Sequence, residues 1–569
     1  MTGTAMTTAL LLSLVTPLFM AALVLVRDYQ SVLIRLLPLA ALPGLMAAFS
    51  PPLEQQVIIP WMLMGSRLIL DDTARLFLLL TTMLWAAAAL YASAYASQIQ
   101  YRTRFYVSFL LAMAGNIGVT LAGDAASFYT FFALMSFAAY GMIVADDTPA
   151  TARAGCIYVS FVIVGEVMLF SGLVMGSQAS ATLNLLDTWS IGTNNLAATL
   201  IIFGFGIKAG ALPFHFILPI VYRAAAPPAA VALAGAMLNA GFLGWLRFLP
   251  LGQEALPVWG AALMALGLGA AFYGVAMGLT QSNAKALLGY SSVSQIGLMT
   301  CGVGLALYVP MHWEALSVVL MGYAIHHALA KGALFYAVTL PAARARWALL
   351  WQRIALILPA LAISGAPFTS GVIAKDALKA ALSAAPLPWS QWFTILLPLS
   401  AIATAVLMLR LLILAWPRQQ ASQHGVLAVS TGQLFLIGAM ALLTARWALQ
   451  ESTLQLWSIF SIANATWPLL VAGAIVALAV FVLQPRWRIN RWQLPPGDVW
   501  LWLERGWSWL PRLSKPPSFL GLYRTLHTCW LGAAAYEQRL ERIEDWLRKP
   551  LVAGLAAVLI FFALLFAMV

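Results

Sequence analysis

Three lysines stand where lysine is costly. Lys208 lies in FGFGIKAGALPFHFILP (203–219), Lys331 in GYAIHHALAKGALF (322–335) and Lys375 in ISGAPFTSGVIAKDALKAAL (363–382). A charge at mid-membrane depth costs about 2.5–3.5 kcal/mol on insertion scales, so such a residue marks an ion or proton route. A lysine in low dielectric loses part of its preference for the charged form and so takes up and releases a proton, which arginine does not. The competing explanation is snorkelling, in which a lysine near a helix end reaches the headgroups and does nothing else.

Other ionisable groups gather around these three. His327 precedes Lys331 by four residues, so both lie on one helical face. A histidine titrates near neutrality, which suits a relay step; a satisfied hydrogen-bond donor is the plainer alternative. His326 faces elsewhere on that helix. His215 follows Pro213 at a helix break, where freed carbonyls or water hold it. Glu166, in YVSFVIVGEVMLFSG, is the one carboxylate in the middle of an otherwise apolar span. It is expected either to be protonated or to face a cation inside the bundle. Lys285, in SNAKALLGYSSVSQIG, begins a helix on the basic side, as a relay member or a snorkelling residue. Arg410 lies within a late span and has no partner that the sequence names. The SSVSQ run at 291–295 has no base and orienter nearby, so it is no nucleophile site.

The elements that must position these groups follow from composition. The 569 residues are 62% hydrophobic and only 9% charged, with a mean hydropathy of +0.88. Ordinary soluble domains carry about 25% charged residues. This is therefore an all-α integral membrane chain. Its +12 formal charge reflects basic cytoplasmic loops rather than nucleic-acid binding. Cys156, Cys301 and Cys529 share no metal-like or disulfide-like spacing. Met1 to Val26 lacks a basic leader and a small-residue cleavage site, so a retained first helix is expected. No phosphate-cradling Gly loop, CxxC pair or haem-ligand pair is present, and no cofactor or metal is implied in this chain.

With about 20 apolar residues per span, about sixteen spans are predicted. They centre near residues 16, 40, 86, 114, 135, 165, 205, 236, 266, 296, 327, 366, 405, 439, 475 and 560. The basic loops (Arg27, Arg102, Arg104, Arg153, Arg223, Lys285, Arg344, Arg346, Arg353, Arg418) alternate with loops holding Glu54, Asp71, Asp72, Asp124 and Asp187. This bias places the N-terminus outside. The polar stretch 485–549, with 11 Lys/Arg and 6 Asp/Glu, then lies on the cytoplasmic side. Most of the 22 Trp residues are interfacial anchors. Two spans are interrupted, one by Gly204, Gly206, Gly210 and Pro213, the other by Gly365, Pro367 and Gly371, and each carries a lysine. Paired broken helices of this kind point to inverted repeats with a site at the breaks.

The ordered set KAGALPFHFILP, AAAPPAAVALAGAMLNAG, KALLGYSSVSQIGLM, HHALAKGALF and GAPFTSGVIAKD, within roughly residues 105–420, resembles one family. It is similar to the antiporter-like proton-conducting membrane subunits shared by respiratory complex I, membrane-bound group 4 hydrogenases and multi-subunit Na+/H+ antiporters. The resemblance implies a hydrated proton path through Lys208, Lys331, Lys375 and His327, and two inverted five-helix repeats. It implies repeats at 105–250 and 251–420, after N-terminal helices at 1–104 and before further helices at 421–484. Other membrane subunits, redox or antiporter, are the implied partners, with protons or Na+ as the transported ion. In such subunits a glutamate stands seven residues before a tyrosine in the fifth helix; here Ala133 precedes Tyr140. Many also carry a lysine in the eighth helix, where Asn239 stands. Glu166 is then expected to form a relocated ion pair with Lys208, the alternative being a silenced half-channel.

The longest members of that family end in a lateral amphipathic helix and an anchor helix. Residues 518–548 suit such a helix, about 46 Å long at 1.5 Å per residue. Pro511, Pro516 and Pro517 bar a longer one, and 550–569 is the expected anchor. The main reading is a proton-translocating subunit of a complex I-like or membrane-hydrogenase-like assembly in the cell membrane. Its rivals are an Na+/H+ antiporter subunit without a redox partner, the membrane half of a proton-driven inorganic-carbon uptake pair, and a non-conducting scaffold.

Overall fold

The computed structural model describes residues 3–50, 56–60, 65–180, 182–185, 195–341, 345–418, 426–448, 459–483 and 494–497. The expected lateral helix and the anchor lie outside the described residues, as does the 485–549 stretch apart from 494–497. The chain opens with α1 (Gly3–Val24), α2 (Arg27–Leu36), α3 (Leu42–Ala48) and an antiparallel hairpin of β1 (Val57–Ile59) and β2 (Ser66–Leu68), in which Ile58 pairs with Arg67. The first half of the bundle follows as α4 (Asp72–Ala94), α5 (Arg102–Leu121), α6 (Ala125–Ile143), α7 (Pro149–Ser180), α8 (Asn195–Ala209), α9 (Ile217–Ala224), α10 (Pro227–Ala232) and α11 (Leu238–Phe248). The second half is α12 (Pro257–Leu279), α13 (Ala284–Tyr308), α14 (Trp313–Thr339), α15 (Arg346–Ser364), α16 (Ser370–Ser383) and α17 (Trp389–Ala415). Then come α18 (Val426–Ala448) and α19 (Ile459–Leu483).

Among the described residues, 13 helical segments are long and apolar enough to cross a membrane. α13 and α18, of 25 and 23 residues, lie where spans near 296 and 439 were expected but are not among those 13. α13 is the instructive case. Ser291, Ser292, Ser294, Gln295 and Thr300 make it more polar than its neighbours, yet all five are buried. It packs against α9, α12, α14, α16 and α17, so protein rather than lipid receives those side chains.

Close helix approach replaces the hydrophobic driving force inside a membrane. α12 and α13 meet along Gly260, Gly267, Gly297 and Gly304. A Cβ on Gly297 would lie 2.6 Å from the Gly267 carbonyl oxygen, and one on Gly304 2.8 Å from that of Gly260.

Both interrupted spans break where the Gly/Pro pattern puts them. α8 stops at Ala209, Gly210 turns with φ +71°, and a short 3-10 turn at Phe214–Phe216 leads into α9. α15 stops at Ser364, Gly365 takes φ +80°, and α16 restarts at Ser370. A left-handed φ suits glycine, which has no Cβ to clash. Lys208 thus ends one half-helix, and Lys375 lies in the second turn of another. A π-helical turn at Leu233–Met237 joins α10 to α11; such turns re-aim the side chains that follow.

Candidate functional site

The first cluster surrounds Lys208. Its Nζ donates to the Tyr158 hydroxyl at 2.8 Å and to Ser136 Oγ at 3.3 Å, and the Tyr158 hydroxyl donates in turn to the Ser136 carbonyl at 3.0 Å. The ammonium also lies 5.3 Å from the centroid of the Tyr158 ring and 5.9 Å from that of Phe132, within cation–π range. Gly241 fixes the depth of α8 here. A Cβ on it would lie 2.8 Å from Ala209 N and 3.2 Å from Lys208 Cβ.

Glu166 is buried on α7. It interacts electrostatically with Lys208, and the Ser136 hydroxyl faces it as well. The two charges form no direct ion pair within contact distance. Ser136, one turn along α6 from Ala133, stands between them, and Glu166 Oε2 has no hydrogen-bond partner among the described residues. The expected ion pair is thus not a contact pair: α7 packs directly on α8, where a Cβ on Gly165 would lie 3.4 Å from the Gly204 carbonyl oxygen, but the Lys208 ammonium is turned onto Tyr158 and Ser136.

The second cluster is built on α13, α14 and α16. Lys331, His326 and His327 are each 0% exposed. Lys331 Nζ donates to the Leu288 carbonyl at 3.1 Å, and His327 lies within electrostatic reach of both Lys331 and His326. His326 faces the other way: its Nδ1 meets Ser370 Oγ at 2.9 Å, and it interacts with Lys375. The adjacent histidines, about 100° apart on the helix, therefore reach toward different lysines. Lys375 runs its aliphatic stem over the second break, where a Cβ on Gly365 would lie 3.0 Å from Lys375 Cδ. Its Nζ is buried without a hydrogen-bond partner among the described residues. It borders a cavity with about 80 Å³ of room, lined also by Asp376, Tyr323, Ser400 and Asn464. Tyr323 donates to Gln295 Oε1 at 2.8 Å, and Gln295 Nε2 reaches Thr404 Oγ1 at 3.4 Å, which ties α14 through α13 to α17 beside that cavity.

Between the clusters lies the helix that carries Asn239. Its Gly235 packs near the Ala328 carbonyl, 3.6 Å from a built Cβ, and its Gly241 packs on Lys208. Asn239 Nδ2 is turned back onto the Gly235 carbonyl at 2.6 Å. Nearby, Tyr158, Lys208 and Tyr222 line a 40 Å³ cavity with Leu233, Met237 and Leu238.

The other two expected members sit apart. His215 Nδ1 meets the Pro213 carbonyl at 3.1 Å, and its ring lies edge-on to Tyr273 on α12 at 4.7 Å. Lys285 Nζ donates to the Ala225 carbonyl at 2.7 Å, in the turn between α9 and α10. Sequence reasoning did not single out Ser136, Tyr158, Ser370, Gln295 or Tyr323. Only the buried hydroxyls of the serine-rich α13 run carried a readable sign. At the opposite end of the bundle, Arg247 forks onto Asp71 through bonds of 2.6 and 2.7 Å.

Residues 122–397 match the family described as NADH:quinone oxidoreductase/Mrp antiporter, TM. The chain is 28% identical over 305 residues to the hydrogenase-4 B component of Escherichia coli (strain K12), covering 51% of this chain and 44% of that protein. It is 30% identical over 287 residues to the D-type protein of the Na(+)/H(+) antiporter of Bacillus subtilis (strain 168), covering 48% and 55%. It is also 30% identical over 294 residues to the N-type protein of the NADH-quinone oxidoreductase of Desulforudis audaxviator (strain MP104C), covering 49% and 56%. The chain spans about half the length of these curated relatives. Its fold matches a chain of the Mrp complex from Dietzia sp. DQ12-45-1b with a TM-score of 0.71 at 21% identity, over 98% of this chain and 62% of that one. It also matches a chain of an archaeal membrane-bound sulfane sulfur reductase with a TM-score of 0.63 at 19% identity, over 82% and 98%. The stretch 122–397 that matches this family model holds Glu166, Lys208, Lys285, Lys331 and Lys375.

Proposed function

We propose that this chain is a proton-translocating membrane subunit of a multi-subunit complex, moving protons through Lys208, Glu166, Lys331, His327 and Lys375. His215 and Lys285 stand at the margins of that relay. The observation that carries the reading is the second cluster: two fully buried histidines lie between two lysines on separate helices, one of them at a helix break beside a cavity. Each lysine is held by carbonyls or hydroxyls or by none, rather than by a permanent counter-ion in contact, which leaves its proton free to leave. The relatives named for hydrogenase, quinone-reductase and Na+/H+ antiporter complexes support membrane partners and a driving force from redox chemistry or an ion gradient. The working cofactors then belong to those partners. The basic loops favour an outside N-terminus and a cytoplasmic 485–549 stretch, and repeats at 105–250 and 251–420 would each hold one broken helix.

A non-conducting scaffold is the second reading, favoured by Ala133 and by Asn239, whose amide is committed to its own helix. The test is proton movement in vesicles holding the assembled complex. Lys331→Ala or Lys375→Ala is expected to abolish it; wild-type rates with unchanged assembly would establish the scaffold instead.

A further inference from the structure

On the basic end of the bundle a cavity of 390 Å³ opens between the α6–α7 turn, α7, the end of α9 and residues 495–496. Its rim is built rather than incidental. Gln281 Nε2 donates to the Leu494 carbonyl at 3.2 Å, and Gly497 N donates to the Tyr290 hydroxyl at 3.2 Å, which pins the Pro495–Pro496 segment over the start of α13. Asp146, Arg153 and Arg223 line the cavity, and Asp146 interacts electrostatically with Lys285 without touching it. That volume holds several waters, and a bridging water closes such a gap at little cost.

Lys285 opens the helix on which the second cluster leans. Its α13 backbone offers the Leu288 carbonyl, one turn on, to the Lys331 ammonium. Lys285 is thus on the first turn of the helix whose Leu288 carbonyl holds Lys331, and neither Lys208 nor Asn239 shares those contacts.

We infer that Asp146 is the proton-collecting residue of this cavity, handing protons from bulk water through a bridging water to Lys285 and so to Lys331. The inference rests on the proposed function. The step balances without a co-reactant: the carboxylate gains a proton from water-borne acid, loses it to the lysine amine, and returns to its charged form. A carboxylate suits a collector when it is not held permanently ionised. Partial burial raises the Asp146 carboxyl from its ordinary value, against the pull of Lys285. The other groups around it are Tyr95 at the end of α4, the adjacent Asp147, Arg153 on α7 and Arg223 on α9. Feeding the second cluster at the middle of the chain also explains how Asn239 is tolerated: the position that is a lysine in many relatives is off the path.

The test uses the complex carrying this chain, reconstituted in vesicles, with initial proton uptake followed by a pH-sensitive dye from mildly acidic to alkaline pH. Asp146→Asn is expected to slow uptake about tenfold or more, most at alkaline pH where protons are scarce, and Asp146→Glu to restore it. If Asp146→Asn matches wild type while Lys331→Ala is inactive, the collector is wrong and the proposed function stands. If neither change matters, the proposed function fails and this inference with it. Should Asp146→Asn not assemble, Ala150→Cys, in a background without the native cysteines, is labelled with a bulky maleimide after assembly. Blocked uptake supports the cavity route, and full uptake at complete labelling overturns it.

Discussion

Lys208 Nζ and the Tyr158 hydroxyl are 2.8 Å apart, and Tyr158 spends its single O–H on the Ser136 carbonyl at 3.0 Å. The phenol oxygen therefore presents a lone pair to the ammonium in one fixed orientation. A hydrogen bond to a charged group contributes about 1.5–3 kcal/mol. Tyr158→Phe is expected to preserve assembly and slow proton translocation roughly tenfold, a loss of that size. Ser136→Ala, which removes the longer 3.3 Å contact, should have the smaller effect. Vesicle pumping rates for the two variants, normalised to assembled complex, provide the measurement; equal wild-type rates would leave the Lys208 cluster without a role in transport.

Glu166 reaches Lys208 across Ser136 rather than by contact, so its charge acts through a bridge. Glu166→Gln is expected to slow pumping, and adding Ala133→Glu to restore part of the rate. Ala133 lies one helical turn before Ser136 on α6, so a carboxylate there approaches the same hydroxyl. Pumping by the double variant no faster than by Glu166→Gln alone would show that the α6 position does not substitute.

The Arg247–Asp71 fork joins α11 to the start of α4, and Asp71 also caps α4 through Ala74 N at 2.7 Å. Burial alone pushes Asp71 up, but the Arg247 guanidinium and the helix N–H groups outweigh it and hold the carboxyl below the usual carboxylate range. Its stabilisation is present at neutral pH and is lost as pH falls through that lowered value. Asp71→Asn is expected to cost about 1–2 kcal/mol at neutral pH, less than a fully buried pair because the aspartate is 34% exposed. In thermal unfolding in detergent, the gap between wild type and Asp71→Asn should close in strong acid. Arg247→Lys should lose most of the pair's contribution, since an ammonium cannot reproduce the fork.

The spans and their breaks were legible in the sequence because both are local properties. A run of about 20 apolar residues has no stable place but the bilayer, and glycine at 210 and 365 marks backbone that other residues adopt at a cost. The pairing of His327 with Lys331 was equally readable, being a matter of helical spacing. The polar α13 helix was legible as a span but not as the best-buried one. Its Ser and Gln residues lower its hydropathy, and only its five helical neighbours show where those groups go.

What the sequence by itself determined is therefore an all-α membrane chain with buried lysines at or near two helix breaks. The tertiary structure alone decided which groups meet. Ser136 is 72 positions from Lys208, Tyr158 is 50 positions from it, and Ser370 is 44 from His326. Helices that are apolar nearly all round carry no stripe from which their rotation can be read. Packing sets that rotation, through glycine contacts such as Gly241 on Lys208 and Gly297 on Gly267. It turned His326 toward Lys375, set Ser136 between Glu166 and Lys208, and brought Asp146 within reach of Lys285, because a side chain's neighbours across a bundle depend on helix depth and rotation that no single segment encodes.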